Sequence, residues 1–93
     1  MFSKHLFRIK LPAADPLTKS RNFLVSVDGR SSNRNVSTAM GHCDVFIGIG
    51  SFVFLRVIDR DNAGSVWVYE TDFVLFPEET VDTESGFEVK LLD

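Results

Sequence analysis

Ninety-three residues leave room for one domain with one core, since a second core would bury too little apolar surface to offset chain entropy. With 44% hydrophobic residues, 25% charged residues and a net charge of −3, the composition excludes a disordered or collagen-like chain. Nine phenylalanines against two methionines favour strands over helices.

The first run, His5 to Leu11, alternates: Phe7, Ile9 and Leu11 share one face and Leu6, Arg8 and Lys10 the other, until Pro12 and Pro16 end it. The next, Asn22 to Asp28, turns Phe23, Val25 and Val27 inward. Asp28-Gly29 then supplies a tight turn, because glycine tolerates positive φ. The polar stretch "RSSNRN" reads as a loop, and "VSTAM", Val36 to Met40, as a weak strand. "CDVFI" aligns Cys43, Val45 and Ile47, and Gly48 and Gly50 break the ladder as a turn or bulge.

"FVFLRVID", Phe52 to Asp59, is apolar on both faces, as a central or covered strand would be. Val66 to Tyr69 and Asp72 to Phe76 read as two extended pieces joined at Glu70-Thr71. Residues 78–86 form an acidic linker to a last strand, "FEVKLL", with Phe87, Val89 and Leu91 on one face. The whole reads as all-β: a single small β-sandwich domain of about seven strands over residues 1–93.

The stretch "FLRVIDRDNAGS", followed by a return strand broken once before "FVLF", resembles the penultimate strand, loop and split last strand of fibronectin type III and bacterial immunoglobulin-like modules. The resemblance spans residues 21–77, and its specific part lies at 52–76. It departs from the family pattern at Ser65, where an Asn is usual, and in lacking a Trp on an early core strand. It implies a non-catalytic spacer or binding scaffold with no cofactor.

The same stretch also fits most of a calcium loop, with Asp59, Asp61, Gly64 and Glu70 at ligand or turn positions. Ala63 stands where an oxygen ligand belongs, and strand-forming residues flank the loop where helices are needed, so a hairpin is expected. A calcium-binding β module remains the alternative function, and a small enzyme or nucleotide binder the second. "GIGSFV" has two glycines of a dinucleotide fingerprint but neither the third nor a following helix. His42 and Cys43, adjacent on a strand, face opposite ways and cannot form a thiolate–imidazole pair. His5, His42, Cys43 and Asp44 lack the paired spacing of zinc ligands. No metal or cofactor is expected.

Partners follow from charge and aromatics. Residues 1–58 hold eight Lys or Arg against three Asp or Glu, and residues 59–93 hold two against ten. Without a basic cluster, nucleic acid is not an expected partner, and no apolar run is long enough to cross a membrane as a helix. The alternating N-terminus lacks a leader's apolar block, and a single cysteine suits a reducing compartment, so a cytoplasmic protein starting at Met1 is expected. A protein partner is expected, or the chain itself as a weak homodimer through its terminal strands, with Trp67, Tyr69, Phe87, Val89 and Leu91 as contact candidates. Trp67 and Tyr69 share one face of a strand. They are either an exposed contact pair or part of the core.

Overall fold

Alternation of apolar and polar side chains sorts the chain into strands whose inner faces are continuous. The computed structural model describes residues 4–14, 18–60, 66–76 and 80–92. The strands are β1 (Lys4–Lys10), β2 (Ser20–Val27), β3 (Arg30–Ser37), β4 (His42–Gly48), β5 (Phe52–Arg60), β6 (Val66–Val74), β7 (Val81–Asp82) and β8 (Glu88–Leu91). They form two antiparallel four-stranded sheets, ordered β4-β1-β8-β7 and β3-β2-β5-β6. The chain is all-β, and among the described residues no helix is long and apolar enough to cross a membrane.

One apolar cluster joins the sheets. Phe7, Ile9, Ile47 and Val89 come from the first sheet, and Phe23, Val53, Leu55 and Val57 from the second, all fully buried. Phe23 of β2 and Phe87 at the entry to β8 stack across the interior, ring centroids 6.2 Å apart. Each such aromatic burial stabilises the fold by about 1.5–3 kcal/mol relative to exposure.

Four sequence expectations are corrected. "RSSNRN" is not a loop but most of β3, paired along its length with β2 through a two-residue turn in which Asp28 (φ 50°) and Gly29 (φ 80°) both take positive φ. That backbone matches strand twist, so the turn forces the polar segment into register. Val36–Met40 is accordingly no separate strand: β3 ends at Ser37 and a turn follows. Glu70-Thr71 is no break, because β6 runs unbroken along β5 with Thr71 opposite Leu55. The acidic linker contains β7, a two-residue strand paired with β8, which brings the strands among the described residues to eight.

Candidate functional site

β5 lies between β2 and β6, so its main chain is paired on both sides and its side chains alternate strictly between core and outer face. The outward set is Phe52, Phe54, Arg56 and Ile58. Across the β5–β6 ladder these oppose Val74, Asp72, Glu70 and Val68 in turn. Phe52, Val68 and Val74 are 46%, 47% and 44% exposed, and Phe76, two residues beyond Val74, is 55% exposed. Leu24 on β2, beside Arg56, is half-buried, as are Phe54 and Ile58. Near the centre Arg56 Nε lies 3.2 Å from Glu70 Oε1. The result is a sheet face apolar at both ends, Phe52 with Val74 and Ile58 with Val68, with Asp72 and the Arg56–Glu70 ion pair between them.

The outer face of the other sheet is mixed: Phe46 of β4 is 65% exposed opposite the half-buried Leu6, and charged residues lie beside them. Arg8 donates to both carboxylate oxygens of Asp44, at 2.9 and 3.1 Å, and Lys10 stands opposite Glu88. The hydrogen bond from Arg8 holds the Asp44 carboxyl below its ordinary range, and the same bond raises the guanidinium. Arg34 of β3 donates to the Asp44 carbonyl at 2.9 Å, tying the neighbouring edges of the two sheets. Charged pairs of this kind are usual on the wet face of an antiparallel sheet. The β5–β6 face differs in the number of its exposed apolar residues, with Phe52, Val68 and Val74 on one pair of strands.

The residues singled out by sequence fall as follows. Asp59 is buried against Arg21, and burial pushes its carboxyl up while the charge of Arg21 partly offsets this. Glu70 lies on the opposite, outer face, paired with Arg56. The two carboxylates of the calcium pattern therefore point to different sides of one sheet. Asp61 and Gly64 lie outside the described residues. Gly50 takes a positive φ of 80° in the turn before β5, and a strand follows it where a phosphate-binding helix would be needed.

Tyr69 opposes Val57 and is half-buried against the core. The side chain of Trp67 lies outside the described residues. Val68, between them, faces out. Phe87 and Val89 are core residues and Leu91 packs against the core, since β8 pairs with β1 of its own chain.

Cys43 faces the core while His42 and Asp44 flank it on the other side of β4, and burial lifts the thiol to about 11. His5 pairs with Ile47 and Cys43 with Ile9, four ladder positions apart, so these residues do not converge. Among the described residues no three His, Cys, Asp or Glu gather as a metal site.

The exposed apolar residues Phe52, Val68, Val74 and Phe76 were not among the sequence candidates. Their signal was the second apolar face of "FVFLRVI", which reads equally as a covered strand. Compared with protein-family models, curated proteins and solved structures, the chain has no significant match in any of the three.

Proposed function

We propose that the chain is a non-catalytic protein-binding or assembly module on an immunoglobulin or fibronectin type III-like sandwich. The strand order agrees with this reading. In that architecture strands A, B and E lie on one sheet and C, F and G on the other, with C′ beside C when it is present. Taking β1 as B, β2 as C, β3 as C′, β4 as E, β5 as F and β6 as G matches the order C′-C-F-G in one sheet and the B–E pairing in the other, with β7 lacking a counterpart. The position of strand A, beside B, is then held by the C-terminal β8.

The observation that carries the binding role is the uncovered apolar face with Phe52, Val68 and Val74. A sheet face with water as its only neighbour gains nothing from apolar residues exposed at both of its ends, and exposed apolar patches mark interaction sites. A photo-crosslinking residue at Phe52, compared with one at Lys90 on the polar face, tests it in native lysate. The expected result is a discrete protein adduct at position 52 that excess unlabelled chain competes away, with none at 90. No adduct at 52, or equal labelling at both positions, would remove the reading.

A further inference from the structure

We infer that this face binds a second copy of the same chain, sheet stacked on sheet about a two-fold axis running along the strands between β5 and β6. The inference rests on the protein-binding reading above and names the partner. Such an axis lays β6 of one protomer over β5 of the other and keeps each row of the ladder in register with itself. The rows are Phe52 with Val74, Phe54 with Asp72, Arg56 with Glu70, and Ile58 with Val68. Across the two copies Phe52 meets Val74, Ile58 meets Val68, and Arg56 meets Glu70.

Of these four rows, the ones whose side chains are described, three are thereby self-complementary. Each Arg56, already 3.2 Å from its own Glu70, gains a second carboxylate, and the four charges alternate in sign. The Phe54 row is the exception. Asp72 sits on the edge strand, however, so over the partner's β5 it keeps water on the side above Ser26, where no strand of its own protomer follows. Aligned stacking of two sheets this way is a normal packing mode.

Edge-to-edge addition at β6 is disfavoured by what covers that edge. Ser85 Oγ donates to the Glu70 carbonyl at 2.7 Å, occupying an outward main-chain acceptor in mid-strand. The face, by contrast, is open. A stack limited to two strands falls below the roughly 800 Å² per partner of a standard interface, so association is weak and concentration-dependent.

Reversing one charge at a time tests the geometry. Arg56→Glu makes the central row all acidic, and Glu70→Arg makes it all basic, so each variant repels itself. Mixed in equal amounts they restore opposite charges at both crossings. Sedimentation equilibrium of the full chain, from micromolar to millimolar, is expected to show a wild-type dimer. Its dissociation constant should rise at least about tenfold in each variant and return in the mixture.

Circular dichroism confirms that each variant is folded, and Phe52→Ser, which alters no charge, should weaken the dimer as well. A wild-type chain that stays monomeric throughout overturns the inference, as does a dimer indifferent to all three substitutions. If the crosslinker at position 52 then captures a different protein, the binding reading stands without self-association. If it captures none, both fail.

Discussion

Arg21 and Asp59 stand opposite each other in the β2–β5 ladder, Nε 2.9 Å from Oδ1, and both side chains are almost wholly enclosed. Arg21 also donates from Nη1 to the Pro12 carbonyl, anchoring the segment after β1. Removing one partner strands a buried charge, so Asp59→Asn alone is expected to lose about 3–5 kcal/mol of stability. Replacing both, with Arg21→Met and Asp59→Leu, should lose far less than the sum of the two single changes. Urea unfolding of the wild type, Arg21→Met, Asp59→Leu and the double variant, with Asp59→Asn beside them, measures this, and additive losses in the cycle would contradict the pairing.

The same pair carries a pH signature. Because burial raises the folded carboxyl of Asp59, the unfolded chain ionises first as pH rises. The folded state then holds more protons, and stability contributed at this site falls between the ordinary carboxylate range and the raised value. The double variant should lack that component.

Phe87 stacks on Phe23 at an interplanar angle of 30° and is 1% exposed, although it lies only six residues from the C-terminal Asp93. Phe87→Ala should therefore destabilise by about 3–5 kcal/mol, as for other buried aromatics. A chain ending at Glu84 would expose Phe7, Ile9 and Phe23 and is expected to lose its cooperative thermal transition. An unchanged transition in that truncated chain would show that β8 is not part of the core.

Much of this core was legible because alternation is read one strand at a time. Phe7 and Ile9, Phe23 and Val25, Cys43 with Val45 and Ile47, and Val53 with Leu55 and Val57 were each grouped on one face, and all are buried. β3 was not legible from hydrophobicity. As an exposed edge it has only Val36 buried, and main-chain bonds to β2 hold it. The face of β6 was ambiguous because Val66 to Tyr69 is apolar on both sides. Only pairing with β5, which sets Tyr69 against Val57, decides it. The candidate face was half visible: Phe52, Phe54 and Ile58 were seen to leave β5 apolar on its second side, but no local pattern tells a covered face from an open one.

Gly29 and Gly86 both take positive φ, 80° and 90°, yet their surroundings differ. A Cβ at Gly29 would meet nothing within 4 Å, whereas one at Gly86 would lie 3.2 Å from Pro12 Cβ. Both alanine variants carry backbone strain of about 1–3 kcal/mol, with Gly86→Ala the worse because it also pushes on Pro12. Asn tolerates the left-handed region, so Gly29→Asn should recover most of the loss and Gly86→Asn should not. Thermal melting of the four variants checks the ranking, and equal recovery at both sites would contradict it.

Cys43 reports on the integrity of the first sheet. Its thiol is lifted to about 11 chiefly by burial, with Arg34 opposing and Asp44 reinforcing the shift, so almost no thiolate exists in the folded protein at pH 8. A disulfide-exchange reagent should label native protein slowly and denatured protein fast, and labelling across a urea series should track the unfolding curve. The linkage has a definite sign. Between the ordinary thiol range and about 11 the unfolded chain loses its proton first, so stability falls as pH rises through that window. Cys43→Ala removes that slope while adding a small cavity penalty independent of pH. Rapid labelling in native buffer, insensitive to urea, would mean that β4 does not hold the thiol inside, and the β1–β4 register would have to be redrawn.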